Sequence, residues 1–260
     1  MKLVLILLFT TLTAWAKPIV LISYFDAFNN APFNNSEKVT QALVEKFNDH
    51  PELDLKICRL VTVFDKSFFE LQNCMNELTE SPKLVIGLGE TGCKLKVETM
   101  ARNLDNSQGP DNEGVERRNS SIELKGPSEI GFNYPLASMY CGLNHSEQKL
   151  LEISNNAGSF VCNNLAYQFL YTFEEIPFGF IHVPSHTCRD LDVKTNLSVE
   201  ILTKMILKAL VSQKDGRLKT RKVDLQTLRR NSSGDECRSD FYKRTKGIDE
   251  KGLWPFSWLK

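Results

Sequence analysis

The chain carries no net charge. Its 32 lysines and arginines are balanced by 32 aspartates and glutamates, so the molecule as a whole lacks the basic surface that nucleic-acid binding needs. After its first 16 residues it lacks any apolar run long enough to span a bilayer, which argues against stable membrane insertion. Internal repeats are missing as well, so solenoids and propellers are excluded. Histidine is scarce, with four in all. The one local grouping with metal-ligand character, His182, His186 and Cys188, has no fourth ligand beside it, and a zinc-type cluster is not expected.

What is present begins at the N-terminus. Lys2 forms a charged n-region, Leu3 to Leu12 an apolar h-region, and Ala14-Trp15-Ala16 a small-x-small cleavage site before Lys17. This pattern predicts a signal peptide over residues 1–16 and a mature protein that is exported, either secreted or periplasmic. Seven cysteines follow, at 58, 74, 93, 141, 162, 188 and 237. An oxidising compartment pairs most of them and leaves one over. Cys162 is the expected free thiol, and the other six allow three bridges in about fifteen connectivities, which the sequence leaves open.

Along the chain, short apolar runs alternate with helical periodicity. Pro18 to Tyr24, Leu53 to Val63 and Leu84 to Gly89 read as strands, and so does the run from Phe178 to Val183. Helices are expected from Ser36, taken as the cap, to Asn48, over Ser67–Leu78, over Pro127–Leu143 and over Ser198–Ser212. Asn103 to Lys125 reads as a long loop. Alternation of this kind predicts an α/β fold, a three-layer α/β/α open twisted sheet that is mostly parallel, over residues 17–212. Ligands in such sheets bind beyond the carboxyl ends of the strands. Residues 213–260 form a basic extension: from Lys214 onward 13 Lys/Arg face 7 Asp/Glu. Cys237 is expected to tether this extension to the body.

One stretch concentrates the chemistry. Ser154-Asn-Asn-Ala-Gly-Ser-Phe-Val-Cys-Asn-Asn164 reads as a strand end, a tight turn at Ala157-Gly158 and a helix with Cys162 in its first turn. A helix N-terminus supplies free N–H groups and partial positive charge, both of which favour a thiolate. Twenty residues on, His182 sits near the end of an apolar strand, where it would serve as the base for a Cys nucleophile.

Several segments together resemble the pyroglutamyl peptidase I (pyrrolidone-carboxylate peptidase) family of cysteine peptidases. Ser154 to Asn163 is similar to the family's nucleophile motif and Gly179-Phe-Ile-His-Val-Pro184 to its histidine motif. Val97-Glu-Thr-Met-Ala-Arg-Asn103 resembles the segment carrying its acidic residue. Weaker echoes are Phe25-Asp-Ala-Phe28, Thr62-Val-Phe64, Pro110-Asp-Asn-Glu-Gly114 and Gly126-Pro127, all in family order. The resemblance implies a Cys162–His182–Glu98 triad acting through an acyl-enzyme, without metal or organic cofactor. It implies peptides with N-terminal pyroglutamate as substrates, and a homo-oligomer is compatible with it. Rings at Phe25 and Phe28 would flank the lactam, while backbone groups at Leu88 and Val161 would read its amide edges. This chain departs from the family in having Ala27-Phe28-Asn29-Asn30 where Pro-Phe-Gly-Gly is usual, and Gln108 where a basic residue is common. Those departures keep two alternatives open. One is the same fold acting on another blocked peptide or amide; the other is a weakly catalytic secreted relative that binds peptides or a partner.

Overall fold

A computed structural model describes residues 16 to 214; the signal segment and most of the basic extension, including Cys237, lie outside the described residues. The first half of the chain forms β1 (Ile19–Phe25), α1 (Asn35–Phe47), β2 (Asp54–Leu60), α2 (Lys66–Asn76), β3 (Leu84–Glu90) and β4 (Leu95–Glu98). The second half forms β5 (Met100–Arg102), β6 (Glu129–Gly131), α3 (Leu136–Cys141), α4 (His145–Gln148), β7 (Leu151–Ser154), α5 (Val161–Thr172), β8 (Phe178–Val183) and α6 (Leu191–Lys214).

Six strands make one sheet in the order β2-β1-β3-β8-β4-β7. The first four run parallel. β4 then enters antiparallel to β8 and pairs in parallel with β7. Every residue of β1 and of β8 is buried, as strands covered on both faces require, and this is why they read as continuous apolar runs. Helices α1, α3 and α6 pack together as one layer, and α2 with α5 as the other. The three-layer, mostly parallel α/β/α architecture expected from the sequence is the one observed.

Three local features differ from expectation. Helix α1 is capped by Asn34, whose side chain accepts from Ser36 N, rather than by Ser36 itself. Ser36 Oγ instead accepts from Phe25 N at 3.2 Å and donates to Asn34 Oδ1 at 2.8 Å, which ties the helix start to the end of β1. Asn34 is only 5% exposed, so the glycosylation triplet it begins is closed by packing. The helix expected over 127–143 is broken: β6 occupies its first part, and α3 starts only after Pro135. Proline bars the residue before it from helical geometry, which places Tyr134 outside the helix. Finally, Leu95–Glu98 is a strand of four residues, too short for its alternation to stand out.

Disulfides join Cys58 to Cys74, tying β2 to α2, and Cys93 to Cys188 across 95 residues of sequence. A bridge closing so long a loop removes on the order of 4 kcal/mol of unfolded-state entropy in the chain-entropy account. Cys141 is also disulfide-bonded, and Cys162 is free.

Packing between β8 and the segment before α3 leaves no spare volume. A Cβ on Gly179 would stand 2.4 Å from the Tyr134 ring, which is itself buried. Gly179→Ala should therefore destabilise the fold by about 1–3 kcal/mol, the usual range for overpacking. Urea unfolding measures this, and an unchanged midpoint would contradict the close approach.

Candidate active site

The turn ahead of α5 is built from short polar side chains. Ser154 Oγ accepts from Asn156 N and Asn156 Oδ1 accepts from Gly158 N, both at 3.1 Å. Gly158 adopts φ +86°, a conformation that costs glycine little. Asn106 N donates to Ser159 O (2.9 Å) and Ser159 Oγ returns a bond to Asn106 O (2.8 Å). Phe160 then occupies the N-cap position, with no side chain capping the helix. The leading N–H groups of α5 are thus left for an outside acceptor, and Cys162 is the second residue of that first turn.

Asn163, fully buried next to the thiol, fixes the helix in place. Its amide accepts from Arg102 N at 2.8 Å and donates to Arg102 O and Leu104 O at 2.8 and 3.0 Å. Asn163 closes the nucleophile motif in the sequence, but no positioning role was legible there. The available signal was a polar side chain on a helix with no exposed face.

His182 is the penultimate residue of β8, paired with Gly89 on β3 and Lys96 on β4. Glu98 is the last residue of β4. The two meet with His182 Nδ1 2.9 Å from Glu98 Oε1, at 5% and 0% residue exposure. Glu98 Oε2 has no hydrogen-bond partner among the described residues. Tyr134 donates its hydroxyl to the Glu98 carbonyl at 3.0 Å and fixes the end of β4. Its own pKa is pushed well above the ordinary 10 by burial and by the Glu98 charge.

Gly89 is the bare spot over which thiol and imidazole meet. A Cβ there would lie 3.0 Å from Cys162 Sγ and 3.2 Å from His182 Cδ2. With Nδ1 committed to Glu98, the other ring nitrogen is left for the Cys162 sulfur, which approaches the same bare spot. Burial alone would pull the His182 pKa down. The hydrogen bonds and charges of Cys162 and Glu98 outweigh it and raise the value to about 9. Both neighbours thus favour the protonated ring, which lies between the Glu98 carboxyl and a sulfur at a helix N-terminus. All three residues singled out in the sequence converge here.

The other predicted contacts divide. Phe28 is half-buried and packs on Phe160 at 5.0 Å between centroids. Phe25 is 1% exposed and packs against Phe180, which in turn stands edge-on to His182. Leu88 and Val161 are fully buried on either side of the Gly89–Cys162 approach, so they can offer backbone groups only. Phe64 and Phe160, to which no binding role was assigned from the sequence, stand 5.2 Å apart, edge to face, and complete an aromatic wall with Phe28. Arg117 lies over Phe64 at 4.7 Å and pairs with Asp65 and with Asp105, the latter at 2.8 Å. Burial pushes the Asp105 carboxyl up. At Asp65 burial acts the same way, but the Arg117 hydrogen bond and charge prevail and its pKa falls.

Three weak sequence echoes prove to be one cluster. Asp26 Oδ1 accepts from Thr62 N at 2.8 Å, Asp111 Oδ2 accepts from Phe64 N at 3.1 Å, and Asn112 Nδ2 donates to Ala27 O at 2.8 Å. Asn29 and Asn30 both adopt positive φ, at 53° and 57°, so the loop keeps a turn that glycine would otherwise supply. Gln108 is exposed. The remaining histidine of the trio considered for metal, His186, has its Nδ1 2.5 Å from Glu90 Oε1, and Cys188 is bonded to Cys93.

A family model described as pyroglutamyl peptidase matches residues 18–213. The pyrrolidone-carboxylate peptidase of Thermosipho melanesiensis is 30% identical over 206 residues, covering 75% of this chain and 99% of that protein. Its counterpart from Clostridium perfringens is 32% identical over 171 residues, 64% of this chain and 78% of the relative. The crystal structure of pyroglutamyl peptidase I from Bacillus amyloliquefaciens is similar at TM-score 0.64 and 25% identity, covering 75% of this chain and 98% of that one. A mutant pyrrolidone carboxyl peptidase from Pyrococcus furiosus shares the fold at TM-score 0.64 and 22% identity, over 75% of this chain and 99% of that one. The Cys162 helix and the buried His182–Glu98 pair both fall inside the matched span, and the chain belongs to the pyroglutamyl peptidase family.

Proposed function

We propose that this protein is an exported cysteine exopeptidase that removes N-terminal pyroglutamate from peptides, with Cys162 as nucleophile. The observation that carries the reading is the buried His182–Glu98 pair at 2.9 Å beside a free cysteine at an uncapped helix start. Membership of the family supports the substrate class.

Cys162 Sγ attacks the pyroglutamyl carbonyl carbon, and the negative charge moves onto the carbonyl oxygen. The free N–H groups that open α5 are placed to receive it. As the tetrahedral species collapses, the C–N bond breaks and the imidazolium proton of His182 goes to the leaving amine. The neutral ring then deprotonates a water that cleaves the thioester, which releases pyroglutamate and returns the thiolate and imidazolium. Glu98 holds Nδ1–H throughout and balances the imidazolium. The wall of Phe28, Phe64 and Phe160 suits a flat, uncharged lactam. An ordinary N-terminus carries a charge that is costly to bury against such rings.

In this reading residues 1–16 are removed on export, and Cys237 tethers the basic extension to the body. The free Cys162, beside six cysteines expected to pair, fits an oxidising destination.

Purified oxidised protein should release a fluorophore from a pyroglutamyl amide. Cys162→Ala should lose this activity by roughly 10³-fold or more while remaining folded. No turnover by a folded protein with a titratable Cys162 thiol would overturn the assignment. Release from a different blocked amide instead would move the substrate class and leave the nucleophile in place.

A second prediction concerns charge. In the folded protein His182 titrates near 9, above its ordinary 6.5. Protonation therefore stabilises the fold, fully below about pH 6.5, and that contribution is lost as pH rises toward 9. Wild type should lose stability relative to His182→Gln across this window in urea melts. Glu98→Gln should lower the imidazole titration by about 1 unit or more, as read by NMR. A midpoint unmoved by Glu98→Gln would remove Glu98 from its role.

A further inference from the structure

The loop after β1 crosses the catalytic end of the sheet. Strands β1, β3 and β8 run parallel, with Tyr24 paired to Leu88 and Gly89 paired to His182. The chain that leaves β1 after Phe25 therefore starts beside the bare spot where thiol and imidazole meet. Asn34 Nδ2 donates to Asp26 O at 3.1 Å and closes the loop on itself. Within it, Phe28 packs at 5.0 Å between centroids on Phe160, which opens the Cys162 helix. Phe33 packs at 5.9 Å on His186, in the loop that follows His182. One foot of the loop thus rests on the nucleophile's helix and the other on the chain beyond the histidine.

Between the two feet the backbone turns tightly. Ala31 N donates to Phe28 O at 3.0 Å, and the two central residues, Asn29 and Asn30, have φ of 53° and 57°. These are the φ values of a type I′ turn, which glycine fits most easily and asparagine tolerates. Both asparagines are exposed, and among the described residues neither side-chain amide has a hydrogen-bond partner. Two positions that suit glycine are thus filled by amides the fold itself does not use. Such a conformation at a site's rim points to a role outside the fold.

The peptidase reading says what passes this turn. The lactam lies against Phe28, Phe64 and Phe160, and the leaving amine takes its proton from His182. The peptide beyond the scissile bond therefore runs from the Phe28 foot toward the His186 foot, past the turn between them. A side-chain amide carries both a donor and an acceptor. It matches the C=O and N–H of a peptide backbone whatever side chains that peptide bears.

We propose that Asn29 and Asn30 form the leaving-peptide subsite and pair with the backbone of the first residues after pyroglutamate. They make the protein selective for peptides over pyroglutamyl amides of small amines. This inference rests on the peptidase reading proposed above.

Glycine adopts positive φ freely, so Asn29→Gly/Asn30→Gly removes both amides and keeps the turn. Far-UV circular dichroism verifies the fold of the variant. The full-length oxidised protein is assayed with a pyroglutamyl tripeptide amide and with a pyroglutamyl arylamide, whose leaving amine has no backbone beyond it. Selectivity, the kcat/KM of the peptide over that of the arylamide, should fall roughly tenfold in the variant, chiefly through a higher KM for the peptide. Each single substitution should account for part of that loss. A ratio that does not move, or a loss shared equally by both substrates, would overturn this inference alone. No turnover of either substrate by the folded wild type would overturn the peptidase reading and this inference with it.

Discussion

The buried pairing of His182 with Glu98 is the constraint around which the rest is arranged. Two ionisable side chains at 5% and 0% exposure are costly unless each satisfies the other. They can do so only if β4 enters the sheet antiparallel beside β8, which brings a strand end carrying Glu98 to one carrying His182. The short strand, its reversal and the Tyr134 hydroxyl on the Glu98 carbonyl all serve that meeting. On the other side of the imidazole, a side-chain-free Gly89 admits the Cys162 sulfur. The proton that this arrangement holds on His182 is the one the proposed chemistry spends on the leaving amine.

Around this centre the long 103–125 segment is fixed by polar contacts rather than by secondary structure. Arg117 joins Asp65 and Asp105, and Asn164 adds bonds to both carboxylates from α5. The same network backs Phe64, which backs Phe160 at the start of α5. Positioning of the Cys162 helix and shaping of the aromatic wall therefore share one set of hydrogen bonds.

The loops around the site are held by contacts particular to this chain, including the asparagines that stand where the family usually has glycine. Asn29 and Asn30 keep left-handed geometry without glycine. Glu90 receives the first helical N–H of α1 at 2.6 Å and pairs with His186, so it fastens the loop after β3 to α1 and to the loop after β8. The Cys93–Cys188 bridge ties the same two loops together. This chain holds the surroundings of its histidine by covalent and ionic links at positions flanking Gly89 and His182.

Glu98 was marked only by a resemblance to the family's acidic segment, whereas the sequence by itself determined the layered α/β class, the buried strands β1, β3 and β8, the helix carrying Cys162 and a histidine to partner it. Those features are written in local pattern: apolar runs of strand length, a tight turn before a helix, a cysteine count that is odd. Tertiary structure alone decided what depends on residues distant in the chain. It placed β4 antiparallel, divided the expected 127–143 helix at Pro135, chose Asn34 over Ser36 as cap, and assigned two of the bridges. It also set Phe25 in the core and brought Phe64 and Phe160 to the wall. Each outcome turns on which distant partner satisfies a buried polar group or fills a gap between packed rings, and periodicity along one segment carries no record of that partner.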